Sequence, residues 1–266
     1  MRKQRYFASE AEAGSERERL ALLEAARDPK TFELIGRFGI REGCQCLEVG
    51  AGGGSVVRGL AERVGPTGRV VAVDLDTRFL ETLKLSNVEV RQQNIMTDPL
   101  EEGVFDLVHC RALLLHLPDP RCALERMSAS LRPGGWLVVE DADFTPFGSA
   151  LPEHPRAEAF DRVMRAGLEL LRSSGRMDPF LGRRLPGMVA ELGLVDLGHE
   201  GSTRVQQGKS PDAMFWKQSI ERVLEMPNSP RLASEEEIKA AVSALEDPTF
   251  AFVGSILFAA WGRRPA

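Results

Sequence analysis

The chain has no surplus of positive charge. Its 34 lysines and arginines are outnumbered by 39 aspartates and glutamates, a balance of −5. Phosphate contacts dominate nucleic-acid affinity and demand a basic face, so DNA or RNA is not the expected partner. Long apolar runs are also missing. Nothing approaches the roughly 20 residues that a membrane span needs, and the basic start Met1-Arg2-Lys3-Gln4-Arg5 has no apolar stretch behind it to make a signal peptide. Cysteine is scarce: Cys44, Cys46, Cys110 and Cys122 contain no Cys-x-x-Cys pair. That argues against a zinc or redox motif, and no metal is expected. Cys44 and Cys46 alternate along an apparent strand, where a thiol is ordinarily buried and inert. The expectation is a cytoplasmic protein with neither membrane nor nucleic-acid attachment.

What the chain does have is length and rhythm. Its 266 residues, 43% hydrophobic, suffice for one large α/β domain with additions. Ser15-Glu16-Arg17-Glu18 reads as a capping box opening an amphipathic helix. Asp28-Pro29 should close that helix, with a second from Thr31 to Phe38. Short apolar runs at Cys44–Val49, Arg69–Asp74, Val88–Gln92, Phe105–Cys110 and Trp136–Glu140 then alternate with helical stretches, among them Ser55–Arg63, Thr77–Leu85 and Asp119–Leu131. This is the signature of βαβ units around a parallel sheet covered on both faces. After Asp143 the rhythm breaks. Helices are expected at Pro155–Leu171, from Asp178-Pro179, from Ser210 to Met226 and from the capping box Ser234–Glu237. Strands are expected at Val195–Val205 and within Phe250–Trp261.

Glu48-Val49-Gly50-Ala51-Gly52-Gly53-Gly54 sits where the first strand gives way to a helix. Glycines there allow positive φ and close approach of a ligand to the main chain. The helix N-terminus adds unpaired N–H groups. Asp74 ends the next strand, where a carboxylate can reach a ribose hydroxyl pair. Together these describe a nucleoside-binding crevice. A dinucleotide fingerprint would want glycine or alanine in place of Ser55.

Leu47-Glu48-Val49-Gly50-Ala51-Gly52-Gly53-Gly54 resembles motif I of the class I S-adenosylmethionine-dependent methyltransferases. Val71-Ala72-Val73-Asp74, then Phe105–Val108 followed by Leu114–Pro120, and then Leu131-Arg132-Pro133-Gly134-Gly135-Trp136-Leu137, resemble the family's second, fourth and fifth strand segments. The match covers residues 43–143. Tyr6 and Glu18-Arg19-Leu20 resemble a small-molecule subgroup with a helical N-terminal lid. The resemblance implies an α/β, Rossmann-like seven-stranded sheet of order 3-2-1-4-5-7-6 with the last strand antiparallel. Residues 1–42 would be the lid, 43–144 the S-adenosylmethionine-binding core, and 145–266 the rest of the sheet with a helical substrate cap. It implies cofactor contacts at Tyr6, Glu48, Gly50, Ala51, Gly52, Gly54, Asp74, Leu75, Asn94, Ile95, Cys110 and Arg111. Asn94 stands where the family often has an acid, and its carbonyl can accept the same hydrogen bond.

His116, at the edge of the sheet where open α/β folds bind ligands, is a candidate base for an acceptor that must lose a proton. Asp141 and Asp143 share that edge as further candidates; a capping or packing role for His116 and a solvated-loop role for the two aspartates stay open. Phe144, Phe147, Phe160, Met164, Met214, Phe215 and Trp216 are either ordinary core or the lining of an apolar pocket, and Arg183-Arg184 reads as a solvated face. The implied activity is methyl transfer to a small, apolar or aromatic molecule, with an O- or N-acceptor favoured and S-adenosylhomocysteine as product. A homodimer is compatible with it. Two alternatives share the fold: an S-adenosylmethionine-binding protein with a non-methylating reaction, and a nucleotide-dependent oxidoreductase, which Ser55 and Pro133-Gly134-Gly135 disfavour.

Overall fold

The computed structural model describes residues 13–225 and 233–266. Ten strands occur among them: β1 Gln45–Val49, β2 Arg69–Asp74, β3 Val88–Gln92, β4 Phe105–Arg111, β5 Leu131–Asp143, β6 Gly148–Ser149, β7 Val195–Ser202, β8 Val205–Gln207, β9 Ala251–Val253 and β10 Ile256–Arg263. The helices are α1 Ala13–Ile35, α2 Ser55–Val64, α3 Pro120–Ser130, α4 Ala157–Ser173, α5 Leu185–Ala190, α6 Pro211–Glu225 and α7 Glu235–Leu245.

Seven strands form one sheet in the order β3-β2-β1-β4-β5-β10-β7. Counting only its own strands, that is 3-2-1-4-5-7-6, and the final strand β10 runs antiparallel to both β5 and β7. The chain therefore has the Rossmann-like architecture that the strand rhythm and the resemblance imply. Side chains alternate across the sheet, as a two-residue period requires. Cys46, Val70, Ala72, Leu107, Val138 and Ala259 face α2 and the end of α1. Leu47, Val71, Val73, Val108, Val139 and Ala260 face α3, α5 and the helices that follow β5. Both faces are dry, which explains why the parallel strands read as unbroken apolar runs. A small second sheet, β6-β9-β8, lies in the region where only helices and the last strands were expected. Its strands of two or three residues are too short to show a period. Among the described residues no helix is long and apolar enough to cross a membrane.

Three expected helices differ. Pro29 does not end the first one: α1 runs unbroken through it from Ala13 to Ile35. An interior proline removes one helical hydrogen bond, but here tertiary anchors on both sides hold the backbone. Asp28 and Thr31 each accept from the Arg111 guanidinium at 2.8 Å, and Leu34 and Ile35 are fully buried. Ser15 accordingly lies inside the helix rather than capping it. Residues 77–85 form successive turns, with the Leu80 N–H donating to the Thr77 carbonyl and that of Leu83 to the Leu80 carbonyl, because Leu80 and Leu83 tuck under the glycine turn. Asp178-Pro179 makes a turn in which the Asp178 carboxylate accepts from the Phe180 N–H at 3.0 Å; the helix α5 starts only at Leu185.

Candidate active site

The glycine turn follows β1 at the carboxyl edge of the sheet. Gly50, Gly52 and Gly54 have φ of 75°, 52° and 86°, left-handed values that only glycine adopts cheaply. Gly50 and Ala51 donate to the Val73 carbonyl at 2.8 and 3.3 Å, so the turn folds back over the end of β2. There Asp74 accepts from the Gly52 N–H at 2.8 Å and from the Asp76 N–H at 3.0 Å. Burial pushes the Asp74 pKa up, and the backbone N–H groups oppose it. The result is a fixed carboxylate with lone pairs to spare.

Val49, Gly50, Val73, Asp74, Leu75, Gln93, Asn94, Ile95, Ala112, Leu113, His116 and Leu117 line one cleft over the ends of β1, β2 and β4. Six of the residues expected to hold a cofactor or a proton are thus brought together: Gly50, Asp74, Leu75, Asn94, Ile95 and His116. The cleft also contains Ala112, whose φ of 53° is strained for a residue with a side chain; such strain gathers at ligand sites. The Asn94 carbonyl accepts from the Met96 N–H at 3.0 Å, which keeps its amide in a fixed orientation and leaves one lone pair free. The donor set suits an adenosine group: a carboxylate for paired hydroxyls, Leu75 and Ile95 for a flat base, and a side-chain-free turn for close approach.

The remaining expected cofactor residues lie elsewhere. Tyr6 falls outside the described residues. Ala51 is buried, and Gly52 and Gly54 shape the turn without lining the cleft. Glu48 sits in the interior with its carboxylate 2.6 Å from His109 Nδ1. Cys110 is fully buried on the opposite face, and burial raises its thiol pKa well above the ordinary value. Arg111 turns to α1, where it pairs with Asp28. The alternation of a strand forces this: His109 and Arg111 share the α1 face, and Cys110 points away from it.

His116 closes a single 3₁₀ turn, Leu114–His116, after β4. Its Nδ1 is 3.3 Å from the Arg176 carbonyl, so Nδ1–H donates and Nε2 is the basic nitrogen. Burial lowers its pKa and the Arg19 charge adds to that; the ring is neutral at pH 7. Asp141 and Asp143 are fully buried, not solvated, and each has a partner. Asp141 accepts from the Leu115 and Ala142 N–H groups, both at 3.0 Å, and burial lifts its pKa to about 7. It thereby fixes the turn that carries His116. Asp143 is clamped by Arg183, one contact at 3.0 Å, so Arg183 is not simply a solvated charge.

Of the apolar candidates, Phe160 and Met164 are ordinary core. Phe144, Phe147 and Trp216 form an edge-to-face group beyond β5, with Trp216 centred 5.5 Å from Phe144 and 4.7 Å from Phe147. Sequence reasoning missed the contribution of α1. Arg17 donates to the Gly53 carbonyl at 2.6 Å, Glu24 accepts from the Ser55 N–H at 3.3 Å, and Asp28 accepts from the Ser55 hydroxyl at 3.0 Å. The first turn of α2 is therefore capped by acids of α1, a relation between distant segments that no local pattern carries.

Residues 47–139 match the family model described as a methyltransferase domain. Among curated relatives, an uncharacterized 37.1 kDa protein in transposon TN4556 of Streptomyces fradiae is 32% identical over 188 residues, 67% of this chain and 51% of that protein. Methyltransferase str2 of Strobilurus tenacellus is 29% identical over 206 residues, 75% of this chain and 66% of that protein. Demethylmenaquinone methyltransferase of Staphylococcus aureus is 35% identical over 106 residues, 38% and 44% of the two chains. The chain spans about half the length of the curated relatives it matches first. Among solved structures, a Bacillus halodurans C-125 protein shares the fold with a TM-score of 0.56 at 21% identity, covering 88% of this chain and 98% of that one. A Haemonchus contortus phosphoethanolamine N-methyltransferase 2, solved with S-adenosylhomocysteine, does so with 0.55 at 18%, covering 94% and 52%.

Proposed function

From a chain whose residues 47–139 belong to the class I S-adenosylmethionine-dependent methyltransferase family, we propose an enzyme that methylates a small molecule on oxygen or nitrogen. One observation carries the reading: Asp74, the Gly50 turn and the neutral His116 line the same cleft. When bound, S-adenosylmethionine supplies an activated methyl group, and the protein supplies alignment and a dry site. Asp74 accepts the ribose hydroxyls, Leu75 and Ile95 flank the adenine, and Asn94 presents its carbonyl to the adenine amino group. His116 Nε2 takes the proton from the acceptor, a role that needs a group titrating near the working pH. Asp141 holds the turn that aims it. The acceptor is apolar or aromatic, and α1 with the helices after β5 covers it.

Calorimetric titration with S-adenosylhomocysteine and with NAD tests the reading, together with mass-spectrometric detection of S-adenosylhomocysteine formed from S-adenosylmethionine and a panel of phenols and amines. Binding of the first ligand alone and acceptor-dependent product formation are expected. Binding of NAD with no response to S-adenosylhomocysteine would overturn it. Cofactor binding without any product points to a non-methylating reaction.

A further inference from the structure

A second recess opens on the same edge of the sheet. β10 pairs with β5 so that Ile256 lies opposite Asp143, and with β7 so that Leu257 lies opposite Ser202. The loops before β10 and after β7 therefore sit beside the carboxyl end of β5. Arg27 and Lys30 of α1, Arg204, Thr203, Ser255 and Asp212 line the recess. Three cations thus face one carboxylate.

The cations are not equally occupied. Lys30 is paired with Glu33 and Glu200 at 3.0 and 3.2 Å. Arg27 is largely buried, and both its bonds, to Asp212 and to the Ser255 hydroxyl at 3.3 Å, leave through Nη2. Its Nη1 and Nε make no hydrogen bond among the described residues. Arg204 makes neither ion pair nor hydrogen bond among the described residues and lies close enough to Arg27 to repel it. Asp212 compensates Arg27, and Glu33 and Glu200 compensate Lys30, so the exposed Arg204 carries the one charge at the recess with no acid paired to it among the described residues; a planar guanidinium fork matches carboxylate or phosphate oxygens.

Helix α1 joins this recess to the cofactor cleft. Asp28 faces Ser55 and Arg111 at the ends of the glycine turn and β4, while Arg27, its neighbour, faces the recess. One turn of α1 thus borders both the recess and the residues beside the glycine turn. We propose that the recess seats an anionic group, carboxylate or phosphate monoester, of the methyl acceptor, with Arg27 and Arg204 as its anchors. This rests on the methyltransferase reading and narrows its substrate class to small acids with an apolar or aromatic body.

The test is calorimetry on the full chain saturated with S-adenosylhomocysteine, using 4-hydroxybenzoate, phenyl phosphate and the neutral 4-hydroxybenzamide as probes. At least one anionic probe binds about tenfold or more tightly than the amide, and which of the two binds better separates carboxylate from phosphate. Arg204→Met, an exposed position that keeps its apolar stem, removes that advantage while S-adenosylhomocysteine affinity stays unchanged; Arg27→Met repeats the loss. Equal affinity for acid and amide, or an advantage that survives Arg204→Met, overturns the proposal. Anion binding intact in a chain that does not bind S-adenosylhomocysteine overturns the methyltransferase reading instead, and with it the acceptor role of the recess.

Discussion

His109 Nδ1 lies 2.6 Å from Glu48 Oε2, directly across the β1–β4 pairing and sealed from solvent. Its Nε2 lies 3.1 Å from Glu140 Oε1 on β5, so one imidazole ties the three central strands beneath α1. Burial on its own would lower the His109 pKa, but the two carboxylates outweigh it and hold the ring protonated, with a pKa of about 9. Glu48, raised by burial, and Glu140, held down by the imidazolium, share its charge.

Stability should follow that proton. A folded pKa raised above the unfolded value of about 6.5 means that the unfolded chain releases the proton first. The contribution is complete below pH 6.5 and is lost as pH rises through 9. Urea midpoints measured from pH 6 to 10 should fall across this window, and His109→Gln should remove the His109 share of the fall. An undiminished slope in a folded His109→Gln variant would show that the proton resides elsewhere.

Asp74→Ala should weaken S-adenosylhomocysteine binding about 10- to 100-fold. Charge-assisted hydrogen bonds to hydroxyls in a partly dry cleft carry about 1.5–3 kcal/mol. The same carboxylate also steadies Gly52, so Asp74→Asn, which keeps one acceptor, should lose less. Calorimetry decides it, and an unchanged affinity in the alanine variant would remove Asp74 from the ribose site.

The glycines of the turn should separate by neighbour. A Cβ at Gly52 meets no atom closer than 3.9 Å, whereas one at Gly54 lies 2.6 Å from the Leu83 side chain. Both carry the strain of positive φ, about 1 kcal/mol or more for a residue with a side chain. Gly52→Val should weaken cofactor binding about fivefold or more through the strained turn, while far-ultraviolet dichroism stays native. Gly54→Val should in addition lower the melting temperature visibly. The reverse ranking in thermal melts would mean that Leu80 and Leu83 yield without cost.

His116→Ala should cut turnover at least tenfold with cofactor affinity intact, in line with the 10²- to 10⁴-fold worth of a positioned base. Because burial lowers the His116 pKa, the wild-type rate should be flat above about pH 6.5 and fall only below it. Alkaline pH should recover part of the variant's loss. A parallel fall in cofactor affinity would assign His116 to packing.

The alternating strands and helices of the parallel half were legible because those strands are short runs rich in apolar residues, the sheet order only through the resemblance to the methyltransferase motifs, and the Gly50–Gly54 turn because positive φ leaves glycine no substitute. What was not legible depends on tertiary partners. Pro29 looks like a helix stop until Arg111 is seen holding Asp28 and Thr31. Arg111 and Cys110 sit at the right end of β4, but strand parity aims one at α1 and buries the other. The same parity places His109 opposite Glu48 once β1 and β4 are neighbours, a signal that was present and unused. The acids of α1 on Ser55 and the Arg27–Arg204 recess join segments up to 228 residues apart, beyond any local pattern.

The unbroken course of α1 also orders events during synthesis. Although it precedes every described strand, α1 with the 3₁₀ turn Gly36–Phe38 that follows it docks on Trp136 and Trp261 around Phe38, on Glu200 beside Arg37 and on Asp212 beside Arg27. Two of those contacts belong to the outer strands β10 and β7, and β10 is made after every other strand. Docking of α1 is therefore completed only after β10, the last described strand in chain order, has been made.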